Sequence, residues 1–269
     1  MATQIHSTAI VSSKAELADS VIVDPYSVIE DDVIIGEGTY IGPHTLIANG
    51  ARIGKNCMIH KGAVVSTAPQ DLSYKNERTF FELGDNSTIR EFCTLNRGTA
   101  KQHLKSSVGS NCLLMAYVHV AHDCVIGNNV IIANSVQMAG HITIQDFAII
   151  GGLTAIHQFV TIGAHTMVGG HFRVPKDIPP YIIAGGWPVS FERLNIIGLR
   201  RRGFTREAID SLHDAYRILY LSNLNVSQGV EQIKSSMTIT TEVQNLIDFI
   251  AVSKRGIVTA RRHTAGGGE

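Results

Sequence analysis

Two histidines and an aspartate lie within five residues of one another in residues 116–127, which read AYVHVAHDCVIG. They are His119, His122 and Asp123. An imidazole ionises near neutral pH, so a histidine can take a proton from a reacting hydroxyl, and a neighbouring carboxylate can fix its tautomer and orientation. The same residue types can bind zinc, or can simply face solvent. Which chemistry applies depends on what the fold places beside them.

The segment lies inside a six-residue repeat. Large aliphatic residues occupy ten consecutive sixth positions from Val11 to Val65, and the pattern returns at Leu83 and runs, one residue out of phase, from Val108 to Val174. This period fits neither an α-helix nor a two-faced strand, but it is typical of a β-helix built from hexapeptides. The aliphatic residue should fill the interior, and glycines that follow it should supply positive φ at the corners. We therefore predict a mainly β fold, with a parallel β-helix over residues 1–189.

Composition excludes several classes of protein. The 23 basic and 23 acidic residues cancel, which gives no reason to expect nucleic acid as a partner. The chain shows neither a signal peptide nor an apolar run near 18 residues, so we expect a cytoplasmic protein without integral membrane association. All four cysteines fall on the small inward position of the repeat and are predicted to be core residues: Cys57, Cys93, Cys112 and Cys124.

Three hexads complete one coil, so residues 18 apart should stack along the β-helix axis. This stacking gathers polar groups around one corner: His122, Gly140 and Gln158 in one column, Asp123, His141 and Phe159 in the next, and His157 beside them. Three interpretations remain open at this point. The corner could be solvated, the histidines could bind zinc with one open position, or His122 could act as a general base with the Gly140 N–H as an oxyanion donor. The last arrangement supplies the parts for acyl transfer to a hydroxyl. As an outward corner, His122 should tolerate replacement at a cost below about 1 kcal/mol.

Two polar segments, residues 66–80 and 97–107, interrupt the repeat and are predicted to be loops. After Trp187-Pro188 the spacing becomes helical, and residues 190–269 are predicted to form a C-terminal α-helical domain that ends in a disordered tail. Thr205 is a predicted N-cap before an apolar stripe, and Thr241 with Gln244 resembles a capping box. The stripe consists of Ile209, Leu212, Tyr216 and Leu219.

Several segments resemble the UDP-N-acetylglucosamine 3-O-acyltransferase family over nearly the whole chain. They are HVAHDCVIGN, AGHITIQDFAIIGG, AIHQFVTIGAHTMVGG, DIPPY and NIIGLRRRGF, with PQDLSY and IRE in earlier coils. The resemblance implies a left-handed parallel β-helix and a homotrimer with active sites between subunits. It implies transfer of an (R)-3-hydroxyacyl chain from the phosphopantetheine thioester of acyl carrier protein to the 3-hydroxyl of UDP-N-acetylglucosamine, the first step of lipid A biosynthesis. No further cofactor and no metal are implied.

The resemblance also implies residue roles. His122 would be the general base, Asp123 would orient it, and Gly140 would offer the oxyanion N–H. The residues implied to bind substrate are Asp71, His119, His141, His157, Gln158, Gly170, Asn195, Arg201 and Arg202. Among them, Gly170 would lie along the acyl tail, Asn195 near the acyl hydroxyl, and the two arginines at the nucleotide or carrier protein.

Three positions depart from the family pattern: Asn96 stands where many members have His, and Ser73 and Ile197 stand where some have Lys and Glu. These differences leave the nucleotide and carrier contacts open, and neither the acyl length nor a 3-amino acceptor is decided. Among rival functions, the sister N-acyltransferase needs a large N-terminal domain, for which a repeat already running at Ala9 leaves no room. A γ-type carbonic anhydrase would not need the arginine-rich helical segment, and a non-catalytic scaffold would not need the histidine corner.

Overall fold

The structure is a computed structural model and describes residues 2–260. Within that range the chain forms short strands followed by four helices. The strands are β1 (Gln4–Ile5), β2 (Ile10–Val11), β3 (Glu16–Leu17), β4 (Ile22–Val23), β5 (Val28–Ile29), β6 (Ile34–Ile35), β7 (Tyr40–Ile41), β8 (Leu46–Ile47), β9 (Ala51–Ile53), β10 (Met58–Ile59), β11 (Val64–Thr67), β12 (Phe80–Leu83), β13 (Thr88–Ile89), β14 (Thr94–Asn96), β15 (Lys105–Val108), β16 (Leu113–Leu114), β17 (His119–Val120), β18 (Val125–Ile126), β19 (Ile131–Ile132), β20 (Gln137–Met138), β21 (Thr143–Ile144), β22 (Ile149–Ile150), β23 (Ala155–Ile156), β24 (Thr161–Ile162), β25 (Met167–Val168), β26 (Arg173–Val174), β27 (Ile182–Gly185) and β28 (Ser190–Leu194). The helices are α1 (Ile196–Arg201), α2 (Arg206–Leu221), α3 (Val226–Ser236) and α4 (Thr241–Val252).

Every third strand stacks on the same sheet, so the coils have three faces. The first sheet contains β1, β4, β7 and so on to β25, the second contains β2 to β26, and the third contains β3 to β24. Neighbouring coils pair in parallel and in the predicted register, as His119 opposite Gln137 shows. The two loops lengthen this spacing locally, so that Thr94 pairs with His119. The predicted parallel β-helix is therefore present, and its triangular section has three corners.

The interior of the coils is a continuous column of aliphatic side chains. Residues of the six-residue repeat such as Ile47, Leu95 and Val120 have no exposed surface. The four cysteines are buried and free, as predicted. They occupy the small inward position, where a thiol fills the same space as alanine or threonine.

Glycines after the aliphatic position do not serve the predicted purpose. Gly36 has no positive φ, and a Cβ added to it would lie 2.6 Å from the backbone of Gly54 on the next coil. The requirement for glycine there is close approach of two backbones. At most corners positive φ instead falls two residues later, on residues such as Gly38, Asn56 and Asp123, with φ of 70°, 51° and 57°. Asp123 itself is therefore in the left-handed conformation, which aspartate and asparagine tolerate better than most residues.

The two interruptions of the repeat form loops that leave the β-helix at the same corner, between the second and third sheets. The first covers residues 68–79, between β11 and β12, and the second covers residues 97–104, between β14 and β15. Arg97 joins them, because its guanidinium donates to the carbonyls of Asn49 and Ser66 and to the Tyr74 hydroxyl, at 3.0, 3.0 and 3.1 Å.

The C-terminal part begins differently from the prediction. Residues 190–194 form β28, which pairs antiparallel with β27, so the first helix starts only at Ile196. Thr205 caps α2 as predicted, by accepting a hydrogen bond from the Ala208 N–H. The predicted apolar stripe is buried, and the Tyr216 hydroxyl donates to the Pro180 carbonyl at 2.5 Å, which ties α2 to the end of the β-helix.

The predicted capping box of Thr241 and Gln244 is wrong. The N-cap of α4 is Thr240, which accepts from the Val243 N–H, and an apolar Val243 cannot return the bond. Gln244 pairs with Asp248 one turn later. The capping box among the described residues instead opens α3, where Asn225 and Gln228 bond reciprocally.

The predicted disordered tail, residues 261–269, lies outside the described residues. None of the helices in residues 2–260 is both long and apolar enough to cross a membrane.

Candidate active site

His122 and Asp123 occupy the corner that joins β17 to β18. Val120 and Cys124, on either side, point into the core with no exposed surface and fix the corner between them. The turn itself is made by Asp123 with positive φ. The six-residue repeat therefore determines where these two side chains leave the backbone.

The corner is covered rather than open. His122 is 8% exposed and Asp123 is 2% exposed, because the loop of residues 97–104 lies over them. The Asp123 carboxylate accepts three hydrogen bonds: from His122 Nδ1 at 2.9 Å, from the Thr99 N–H at 2.9 Å and from the Thr99 hydroxyl at 2.7 Å. The expectation of an exposed, easily replaced His122 is thus wrong, since removing it would strip a buried carboxylate of one donor.

The hydrogen bonds also favour the negatively charged form of Asp123. Burial would raise the pKa of its carboxyl, but the bonds from His122 and Thr99 favour the ionised form and lower the pKa below its ordinary value. An ionised Asp123 accepts from Nδ1, which leaves Nε2 of a neutral His122 as the proton acceptor.

Gly140 lies one coil further along and touches the His122 ring. A Cβ added to Gly140 would lie 2.6 Å from Cε1 and 2.8 Å from Nε2 of His122, so only glycine leaves room for the ring. Within residues 2–260 the Gly140 N–H forms no hydrogen bond. An unbonded N–H beside a basic nitrogen is the feature expected of an oxyanion donor.

His141 closes the corner from the same coil as Gly140. Its ring meets the His122 ring edge-on at 5.0 Å between centroids and stacks on Phe159 at 4.7 Å. Its Nδ1 forms a short hydrogen bond with Gln102 of the second loop, and its Nε2 lies 3.8 Å from Asp123. Burial lowers the pKa of His141, against the opposing attraction of Asp123. Stacking by 18 therefore places His141 beside His122, as predicted.

His119, His157 and Gln158 line the approaches to the corner. The His119 ring hydrogen bonds to the Thr94 hydroxyl at 2.8 Å, and burial lowers its pKa. His157 is exposed one coil beyond Gly140, with its Nδ1 3.1 Å from the Gln158 carbonyl oxygen. In the described part of the chain no hydrogen bond or ion pair joins any of these three residues to Asp123, which suits binding better than proton transfer.

Asp71 reaches the site from the first loop. It accepts hydrogen bonds from the Ser73 N–H and hydroxyl, each at 2.8 Å, and pairs with Lys101 of the second loop at 3.2 Å. The Ser73 bonds, with help from Lys101, hold the pKa of Asp71 well below its usual range. Its charge and that of Lys101 both act on His141. The two loops thus meet over the histidine corner.

A metal is the competing interpretation of the same residues. His122, Asp123 and His141 each offer one ligand atom, and these atoms lie within 4.8 Å of one another. The Asp123 oxygen nearest both histidines, Oδ2, however, already accepts from His122 Nδ1 and from the Thr99 hydroxyl, so a metal at that oxygen would have to displace one of these donors. The geometry fits a hydrogen-bonded base better than a metal site.

Comparisons with known proteins match both the β-helix and the C-terminal helices to known families. The family model described as UDP N-acetylglucosamine O-acyltransferase, domain 2, matches residues 177–258, and the bacterial transferase hexapeptide model matches residues 14–49, 35–67 and 105–140. An acyl-[acyl-carrier-protein]--UDP-N-acetylglucosamine O-acyltransferase from Trichlorobacter lovleyi is 54% identical over 256 residues, which cover 94% of this chain and 98% of the relative.

This chain belongs to the UDP-N-acetylglucosamine O-acyltransferase family.

Other members of the acyltransferase family support the assignment. The relative from Chlorobaculum tepidum is 56% identical and covers 92% of this chain and 94% of its own length. The solved UDP-N-acetylglucosamine acyltransferase from Bacteroides fragilis superimposes with a TM-score of 0.93 at 44% identity, over 95% of this chain and 100% of that one. The predicted family and the left-handed hexapeptide β-helix are confirmed.

Other predicted residues of this acyltransferase lie at different corners of the same chain. Gly170 lies between β25 and β26, at the corner that joins the first sheet to the second. The Asn195 amide donates to the His165 carbonyl at 2.9 Å, which places it at the corner that joins the third sheet to the first. His122 lies at the remaining corner, so one chain does not bring all the predicted residues together.

Arg202 packs at the Asn195 corner. Its guanidinium lies 4.2 Å from the centre of the Phe147 ring, and burial lowers its pKa. Burial, with repulsion from Arg202, also lowers the pKa of His165 to about 4. Arg201 is exposed beside it at the end of α1. Both arginines therefore mark a positive patch at the end of the β-helix.

The three departures from the family pattern have structural counterparts. Asn96 is buried and donates to the Thr67 hydroxyl and the Ala68 carbonyl at 3.0 and 3.1 Å, so it braces the first loop. Ser73 orients Asp71 by the bonds described above, and Ile197 is 66% exposed on α1.

Thr99, Lys101 and Gln102 contact the site although no sequence signal singled them out. They belong to the interruption of the repeat, where the residue number no longer predicts a position in space. Only the identity of the loop as an interruption could have directed attention to them.

Proposed function

We propose that this chain transfers an (R)-3-hydroxyacyl chain from acyl carrier protein to the 3-hydroxyl of UDP-N-acetylglucosamine. The relatives are named for an acyl carrier protein donor and a UDP-N-acetylglucosamine acceptor, and none of those named above supports a γ-carbonic anhydrase or an N-acyltransferase. The observation that carries the proposal is the His122–Asp123 pair, which Thr99 orients and whose imidazole packs against Gly140, a residue with an unbonded N–H within residues 2–260.

The chemistry follows from these groups. Nε2 of neutral His122 accepts the proton of the sugar hydroxyl as its oxygen attacks the thioester carbonyl. The negative charge that develops on the carbonyl oxygen is stabilised by the Gly140 N–H. When the carbon–sulfur bond breaks, the imidazolium returns the proton to the departing pantetheine thiolate. Until then, Asp123 stabilises the imidazolium through its hydrogen bond with His122 Nδ1.

The test is an assay of purified protein with UDP-N-acetylglucosamine and a panel of (R)-3-hydroxyacyl carrier proteins. The proposal expects acyl-UDP-N-acetylglucosamine and free carrier thiol in equal amounts. The same assay with the 3-amino sugar nucleotide distinguishes the alternative acceptor, and the panel reports the acyl length. Absence of product with every donor would contradict the proposal. We also retain the predicted cytoplasmic location as part of the proposed function.

Activity is expected to be independent of bound metal, because Oδ2, the Asp123 oxygen nearest both histidines, already accepts two hydrogen bonds. Prolonged treatment with a chelator, followed by its removal, should leave turnover unchanged. If turnover were lost completely and zinc restored it, His122, Asp123 and His141 would instead be interpreted as a zinc site.

A homotrimer is also part of the proposal, with each site completed by a neighbouring subunit. The predicted substrate residues lie at three different corners of one chain, so a single chain cannot enclose the substrate. The first sheet also presents partly exposed apolar side chains outward: Ile22, Met58 and Met167, 38%, 46% and 40% exposed. Such a row is typical of a protein interface.

Sedimentation is expected to give three times the 29.2 kDa mass of the chain at micromolar concentration. Replacing Met58 by glutamate should shift this equilibrium toward the monomer, because a charge would enter the buried face. Lys14→Glu, which changes an exposed charge, serves as the control. If the unmodified protein sediments as a monomer, the proposal that neighbouring subunits share each active site is contradicted.

A further inference from the structure

We propose that Thr99 is a positioning residue that keeps the Asp123 carboxylate ionised and aligned behind His122. The inference rests on the proposed function, because it assigns to the second loop a part in proton transfer at that site. Both donors of Thr99 go to Asp123, and within residues 2–260 no hydrogen bond joins Thr99 to the His122 ring, so its effect passes through Asp123.

Thr99 directs two hydrogen-bond donors at the Asp123 carboxylate. It is 1% exposed, and both its N–H and its hydroxyl point at the carboxylate, at 2.9 and 2.7 Å on different oxygens. The hydroxyl oxygen accepts the Lys101 N–H at 3.3 Å, which commits its own proton to Asp123. Two directed donors on a carboxylate without exposed side-chain surface fix both its charge and its plane.

The loop holds Thr99 firmly. The preceding Gly98 is buried, donates its N–H to the Phe80 carbonyl at 3.1 Å, and packs against the Lys105 backbone too closely for any side chain. Arg97, before it, anchors to Asn49 and Ser66. The hydroxyl is therefore presented from a braced backbone rather than from a free loop tip.

The expected direction of the pH effect follows from charge. Hydrogen bonds to a carboxylate stabilise the pair in its unprotonated form. Removing one donor makes the His122–Asp123 pair bind its proton at higher pH, whichever atom carries it, so the base form is lost sooner as the pH falls. The other titratable or charged groups around the pair are His119 on β17, His141 on the next coil, Lys101 on the second loop and Asp71 on the first.

The experiment compares Thr99→Val, which keeps the shape and the backbone N–H but removes the hydroxyl, with Thr99→Ser, which retains it. Thr99→Val should lower kcat about tenfold and move the acid limb of kcat/KM to higher pH by about one unit, the range expected for one hydrogen bond to a charged group. Thr99→Ser should restore both. Thr99→Ala, which also lacks the hydroxyl, is measured in parallel in case valine disturbs folding.

Thr79→Val is the matched control. Thr79 is equally buried in the neighbouring loop, but its hydroxyl has no hydrogen-bond partner among the described residues. Its kcat and acid limb should stay at wild-type values. A second readout, independent of turnover, is the pH at which the imidazole signals of the His122–Asp123 pair titrate by nuclear magnetic resonance.

Two outcomes overturn the inference while leaving the proposed function intact. One is an unchanged acid limb and titration in Thr99→Val and Thr99→Ala. The other is equal impairment of Thr99→Ser and Thr99→Val, which would indicate a packing role. Failure of the proposed function looks different, since the wild type would then form no product, or His122→Ala would retain full turnover.

Discussion

Replacing His122 by alanine is expected to lower turnover about 10²–10⁴-fold while the chain stays folded, because that is the usual contribution of a general base. The ring is the only imidazole bonded to Asp123 at hydrogen-bond distance among the described residues, and it packs directly against Gly140. The effect should appear in kcat at saturating concentrations of both substrates, since the base acts in the transition state.

Stability has to be measured beside turnover. Alanine removes one hydrogen bond to the buried Asp123 carboxylate, which costs about 1.5–3 kcal/mol of unfolding free energy, more than an exposed corner would. His122→Gln, which retains a donor for Asp123, should recover stability but not turnover. His6→Ala, on an exposed histidine of the first coil, is the control for histidine loss. Near-normal turnover of folded His122→Ala would show that His122 is not the general base. A larger loss of turnover on replacing His119 or His157 would assign the base to that residue.

Gly140→Ala is expected to lower turnover about 10²-fold or more with little change in substrate affinity. The new Cβ would lie 2.6, 2.8 and 3.1 Å from Cε1, Nε2 and Nδ1 of His122, so the ring must move. A displacement of about 1 Å from the reactive geometry costs on the order of 10²-fold. Gly140 has no positive φ, so alanine introduces no backbone strain that could explain the loss.

The matched control is Gly229→Ala on α3, where the nearest atoms would lie 3.5 Å from the new Cβ, an ordinary contact. Turnover should be unchanged there, and stability should rise by up to about 1 kcal/mol, as for glycine inside a helix. A Gly140→Ala protein with wild-type kcat would show that neither the ring position nor the glycine matters for the reaction.

Both predictions depend on which residues stack on one another, and the six-residue repeat determines that stacking. Because residues 18 apart stack in a β-helix, the sequence was enough to place Gly140 and His141 one coil beyond His122. The same arithmetic placed the four cysteines in the core. The apolar stripe of α2 and its N-cap Thr205 were also predictable from the sequence, because helical periodicity and capping depend only on residues a few positions apart.

Where the periodicity fails, residue numbers stop predicting neighbours. The loop of residues 97–104 returns over the corner through contacts between distant residues, such as Arg97 with Asn49, so the donors from Thr99 to Asp123 were not predictable. The error at α4 has a smaller-scale cause: Thr240 and Thr241 are both suitable caps, and only the backbone conformation at the helix start selects Thr240.

What the sequence alone determined is therefore the column of side chains along each corner, because a fixed period converts chain position into spatial position. Only the tertiary structure decided whether that corner is exposed or enclosed. The two loops fold back and meet through Asp71 and Lys101, and they convert a solvent-facing corner into a buried His122–Asp123 pair. Burial strengthens each hydrogen bond to the carboxylate, so the electrostatics of the pair arise from long-range packing that no local pattern encodes.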